Sequence, residues 1–134
     1  MPSLNALCLI VAGVVRATLP GPEFTLAWTH SVEKTRWEET YRIDGDRLML
    51  VTARVEGSGA GMEPPSGAQL RDGRWTWQPQ SVHPELRLTE STFTRDYTLC
   101  TGGRSADLGE RIGATAEGEV VTVRVCEAGS IAGK

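Results

Sequence analysis

Phe24-Thr25-Leu26-Ala27-Trp28-Thr29-His30 alternates large apolar or aromatic side chains with small and hydroxylated ones. Successive side chains of an extended strand point to opposite faces, so Phe24, Leu26, Trp28 and His30 share one face and Thr25, Ala27 and Thr29 the other. After the polar stretch 31–36 the pattern returns, with Trp37, Glu39, Tyr41 and Ile43 on one face and Arg36, Glu38, Thr40 and Arg42 on the other. The two strands form a hairpin with a loop over 31–36. The simplest register sets Trp28 opposite Glu39 and His30 opposite Trp37.

Outward from this hairpin the chain keeps the same period. Asp44-Gly45 supplies a tight-turn signal into a third strand over 47–55, which completes an antiparallel meander. The glycine-rich stretch 56–65 closes on Pro64-Pro65 and reads as a loop. Asp72-Gly73 introduces a short strand with Trp75 and Trp77 on one face, and 86–89, 97–100 and 120–126 supply further strands. No segment carries three turns of helical periodicity; residues 107–112 suit a single helical turn. The 15 glycines and 7 prolines, about 16% of the chain against roughly 12% ordinarily, fall between the apolar runs. The expectation is an all-β, single-domain antiparallel β-sandwich or barrel of about eight short strands over 1–134, with 127–134 as a flexible tail.

Composition narrows the class without naming a function. The chain has 134 residues, a formal net charge of −3, 40% hydrophobic and 23% charged residues. That suits one domain with a core of its own and excludes a wholly disordered chain. A nucleic-acid partner is not expected, because the sequence lacks a basic stripe able to displace counterions from phosphate.

The apolar run 6–15 has the length of a signal-peptide core, followed by Val15-Arg16-Ala17 as a poor cleavage site and preceded by no basic residues. It reads either as a first strand, with a bulge at Gly13 and a turn through 19–22, or as a signal or anchor segment within 1–18. Three cysteines allow one disulfide with a thiol left over: Cys8 with Cys126, or Cys100 with Cys126, or three free thiols.

Several residues carry candidate chemistry. Strand parity places Trp28, His30, Trp37, Glu39 and Tyr41 in one half-buried cluster, where Glu39 is a carboxylate that an imidazole or a tyrosine hydroxyl can satisfy. Glu33, Lys34 and Arg36 make either a solvated charged turn or an anion-binding rim, in which Lys34 and Arg36 face a carboxylate ligand or an acidic partner surface. The loop with Gly57, Gly59, Gly61 and Met62 lacks the Gly-Lys-Ser/Thr ending of a phosphate loop and the spacing of a dinucleotide fingerprint. Its glycines permit close backbone approach instead. Ser58 lacks the flanking glycines of a nucleophile elbow. His83, next to Pro84, reads as an exposed loop residue, and Trp75 with Trp77 as core or as an exposed platform. No CxxC pair occurs, and no metal or other cofactor is expected.

The run from Phe24 through His30-Ser31-Val32-Glu33-Lys34 to Tyr41, followed by Gly57-Ser58-Gly59-Ala60-Gly61-Met62, resembles an uncharacterised bacterial family. These are small domains encoded beside, and regarded as accessory to, tripartite (TRAP) transporters of the TAXI type. The resemblance covers most of the chain. It implies an all-β periplasmic or membrane-associated domain without an established activity, and it marks His30, Ser31, Glu33, Lys34, Glu39, Gly57, Gly59, Gly61 and Met62. The family's pattern has a second cysteine shortly after the one matching Cys100; Ser105 stands near that place here. The leading expectation is therefore a non-enzymatic accessory or binding domain for such a transporter. Its partner is a membrane or solute-binding component, and its site, with Arg36 beside Lys34, suits a small organic anion. Two other readings stand beside it: a small hydrolase or lyase using His30 with Glu39 or Glu33 as acid and base, and a purely structural interaction module.

Overall fold

Leu7, Leu9 and Val11 alternate with Ala6, Cys8 and Ile10 along the first strand, and the odd-numbered set is buried in the interior. The computed structural model describes residues 4–29, 35–56, 66–89, 97–113 and 119–127. Its strands are β1 (Leu4–Val11), β2 (Val14–Pro20), β3 (Glu23–Thr29), β4 (Arg36–Asp44), β5 (Arg47–Glu56), β6 (Gln69–Arg71), β7 (Arg74–Trp77), β8 (Ser81–His83), β9 (Leu86–Thr89), β10 (Thr98–Thr101), β11 (Arg104–Asp107) and β12 (Val120–Glu127). The one described helix is α1 (Leu108–Ile112). The fold is all-β and antiparallel, as expected. A four-stranded sheet runs β2-β1-β12-β9, and an eight-stranded sheet runs β11-β10-β3-β4-β5-β7-β6 with β8 paired to β5.

Each sheet turns one face to the other. Val121, Val123 and Val125 of β12 join Leu7, Leu9 and Val11 from the small sheet, and Phe24, Leu26, Tyr41, Leu48, Leu50 and Leu99 meet them from the large one. The one-turn helix adds Leu108 and Ile112 to this core. Near the rim of the core, β2 carries a bulge between the pairs Leu9–Ala17 and Ile10–Val15, which leaves Arg16 as the extra residue. Its guanidinium donates to the carbonyl of Ile112 at 3.1 Å, a favourable place for a cation because the last carbonyls of a helix carry partial negative charge. Arg111 ties the same helix to the Leu99 and Arg104 carbonyls at 2.9 and 3.0 Å.

Four expectations need correction. Gly13 is not a bulge: Ala12 and Gly13, at φ +51° and +79°, form the two-residue turn of a β1–β2 hairpin. That left-handed pair favours a residue without Cβ at its second position. The turn after β4 sits one residue later than read, on Gly45 and Asp46, because Asp44 pairs with Arg47. The β3–β4 register is displaced by two residues, with Trp28 opposite Trp37, Leu26 opposite Glu39 and Phe24 opposite Tyr41. An even shift keeps every side chain on its assigned face. It also places aromatic against aromatic: Phe24 and Tyr41 stack at 5.3 Å, Trp28 and Trp37 lie parallel at 6.2 Å, and Thr25 and Thr40 share a 2.9 Å hydrogen bond. Finally, the strands among the described residues number twelve. β6, β8 and β11 are three or four residues long and polar, too short to show an alternation.

The crossing from the small to the large sheet is tight. Gly21 donates to the Asn5 carbonyl at 3.0 Å, and a Cβ there would lie 2.8 Å from that carbonyl oxygen and 2.6 Å from Ile43 Cδ1. On the outer face of the small sheet, Cys8 and Cys126 are joined by a disulfide across neighbouring strands, with their Cα atoms 5.9 Å apart; Cys100 is free. In the register Cys8 lies opposite Arg124 and Cys126 opposite Ala6, so the bridge is diagonal. It closes a span of 118 residues, and long loops lose the most unfolded-state entropy when closed. Cys126→Ser is expected to lower unfolding free energy by about 2–5 kcal/mol, read from urea midpoints, while Cys100→Ser leaves the midpoint nearly unchanged.

Candidate functional site

The alternation of β4 sends two different chemistries to the two faces of the large sheet. On the inner face, Trp37 and Glu39 follow Tyr41 toward the end where β4 begins. Across β3 lies Trp28, tilted against Tyr97 at 5.6 Å. Across β5, the small Ala53 and Val55 pair with Trp77 and Trp75 of β7. All four tryptophans are thereby brought to the same face and the same end of one sheet, each half-buried. The carboxylate in this setting is Glu39, which accepts a 2.7 Å hydrogen bond from the Tyr41 hydroxyl. Burial pushes the Tyr41 phenol well above its ordinary range, and the charge of Glu39 and the hydrogen bond to it push in the same direction.

On the outer face stand Arg36, Glu38, Arg54, Arg74 and Thr76. Glu38 sits at the centre of this group. Its carboxylate lies 3.1 Å from Arg74, 3.8 Å from Arg54 and 3.7 Å from Arg36. Beyond it, Arg54, Arg71, Asp72, Arg74 and Thr76 line a hollow of about 270 Å³. A second hollow, about 460 Å³, opens on the outer face of the small sheet beside the Cys8–Cys126 bridge, Ile10, Val15 and Arg124. Among the described residues no group of three or more His, Cys, Asp or Glu is arranged to hold a metal ion. No described helix is long and apolar enough to cross a membrane.

Of the residues singled out from sequence, His30, Ser31, Glu33, Lys34, Gly57, Gly59, Gly61 and Met62 lie outside the described residues. Arg36 and Glu39 lie within them, on opposite faces of β4. The structure does bring together the strand ends from which the two marked segments depart. The Arg36 amide donates to Glu56 Oε1 at 2.7 Å, joining the first residue of β4 to the last of β5. His83 is corrected: it is half-buried on β8, pairs with Leu48, contacts Ser81 Oγ at 2.9 Å and meets the Tyr41 ring edge-on at 6.2 Å. The gathering of Arg54, Arg71 and Arg74 escaped sequence reading, because it depends on β6 and β7 folding back onto β5. Only the Asp72-Gly73 turn signal pointed that way.

Fold and side-chain arrangement define a small antiparallel β-sandwich with an aromatic end on one face of its large sheet and an arginine cluster on the other. A family model described as "Domain of unknown function (DUF1850)" matches residues 24–108, and the chain belongs to that family. The match takes in the strands of the large sheet, save Glu23 at the start of β3, but in the small sheet only β9. Neither the curated proteins nor the solved structures gave a match.

The Tyr41–Glu39 pair has a measurable consequence. An unfolded phenol loses its proton near pH 10, whereas folded Tyr41 keeps its own there, so the unfolded state binds fewer protons. Stability therefore falls as pH rises past about 10. Tyr41→Phe is expected to flatten that fall, seen by comparing urea midpoints at neutral and alkaline pH, and to cost about 1 kcal/mol at neutral pH by leaving Glu39 without its donor.

Proposed function

We propose that this chain is a non-enzymatic accessory binding domain of a TAXI-type TRAP transporter, working in the periplasm or at the membrane surface. The resemblance of His30 to Lys34 and Gly57 to Met62 to that family supports the transporter connection. The disulfide across the small sheet fits an oxidising compartment. The observation that carries the binding reading is the convergence at one end of the large sheet. The stems of both marked segments meet there through the Arg36–Glu56 hydrogen bond, beside four half-buried tryptophans. Aromatic and arginine side chains are the ones that dominate the energetics of protein interfaces. The partner is the membrane component or the solute-binding component, and Lys34 with Arg36 favours an acidic group on it or on its organic-anion solute.

Biolayer interferometry against a purified TAXI-type solute-binding component, and against the permease in lipid nanodiscs, tests this reading. Binding to one of them is expected, weakened about tenfold or more by Lys34→Glu and by Trp37→Ala. Lack of binding to both, or binding that neither substitution weakens, overturns it. Circular dichroism on each variant separates lost contact from lost fold.

A further inference from the structure

Three adjacent strands, β5, β7 and β6, each turn one arginine to the outer face of the large sheet: Arg54, Arg74 and Arg71. Neighbouring strands are spaced about 5 Å apart, so the three guanidinium groups stem from backbone spanning only about 10 Å. Arg71 and Arg74 are direct cross-strand partners. Like charges so placed destabilise a sheet. The carboxylate of Glu38 serves Arg74 and Arg54 and also approaches Arg36. Arg71 is instead steadied by a neutral group, donating through Nε and a terminal nitrogen to the Gln69 amide oxygen. The hollow thus has two arginines sharing one carboxylate, a third held in place by a neutral acceptor, and the Thr76 hydroxyl in its lining.

We propose that this hollow is a binding site for the carboxylate or phosphate group of a small molecule. Planar guanidinium groups offer paired N–H donors that match such oxyanions, and an anion between Arg71 and Arg74 turns their repulsion into attraction. The volume of about 270 Å³ suits a small solute. The chain's net charge of −3 disfavours an extended polyanion such as nucleic acid. Asp72 is the acidic residue of the lining, and Glu38 beside Arg54 and Arg74, with Glu56 opposite Arg74, adds negative charge at its edge, which favours a ligand carrying one or two negative charges. This site is on the opposite face from the tryptophans and stands independently of the transporter reading.

Titration of the full chain by two-dimensional amide NMR tests the proposal, with succinate, inorganic phosphate and sodium chloride at matched ionic strength. Saturable shifts at Arg54, Arg71, Arg74 and Thr76 are expected with succinate, with phosphate or with both, and which of them acts tells a carboxylate site from a phosphate site. Arg71→Gln, on an exposed strand, is expected to weaken binding about tenfold. Asp72→Asn removes the opposing charge, keeps a residue that tolerates the left-handed turn, and is expected to tighten binding severalfold. Equal shifts with chloride, or an affinity indifferent to both substitutions, overturn the proposal.

Discussion

The pairing of β1 with β12 is the contact on which the remaining structure depends. These strands lie side by side at the centre of the small sheet although most of the chain separates them. Their inward residues, Leu7, Leu9, Val11, Val121, Val123 and Val125, make up most of the small-sheet half of the core, to which β9 adds Leu86 and Leu88. Without that layer the large sheet would present Phe24, Leu26, Leu48, Leu50 and Leu99 to water. Burying each such side chain stabilises the fold by about 1.5–3 kcal/mol, so neither sheet is stable without its counterpart. The disulfide reinforces this arrangement from the outside and creates none of it.

The large sheet uses one strand to keep two environments apart. Along β4, odd-numbered residues face the core and its aromatic end, and even-numbered residues face solvent among arginines. Glu38 and Glu39 are neighbours in the chain and partners to entirely different groups: guanidinium ions for one, a buried phenol for the other. A one-residue slip would exchange them, placing Arg36 and Arg42 against the core, and the stacked pairs across β3 and β4 oppose that slip. A bulge opposite Thr40 and Tyr41 absorbs one residue of β5. The same edge of β5 then serves β7 beyond the bulge and β8 before it.

Much of this was legible in the sequence, and the reasons for success and failure are physical. Strands β3, β9 and β12 each bury a row of side chains, and β4, which buries only Tyr41, still alternates in residue type, so all four are plain in the sequence. The turn at Asp72-Gly73 and the helical turn ending at Ile112 carry local signatures. Register was less accessible: two alignments that differ by two residues satisfy the same alternation, and only the pairing of Trp28 with Trp37 and Phe24 with Tyr41 decides between them. The hydrogen bond from Tyr41 to Glu39 was within reach because both residues share one strand face. The arginine hollow was not, because Arg54, Arg71 and Arg74 are unremarkable in sequence and meet only after a turn and two strand pairings.

The boundaries of the family match give the β1–β12 contact a further meaning. Residues 24–108 hold the large sheet except Glu23 at the start of β3, while β1 and β2 precede them and β12 follows. Every strand of the large sheet precedes β12 in the chain, so the apolar face of that sheet is covered in full only when a strand made after all of them has joined the small sheet. Closing the small sheet requires β12 to insert between β1 and β9, a pairing of high contact order. Until that moment the nascent chain carries an uncovered hydrophobic surface and two open strand edges, the conditions under which chaperones are recruited.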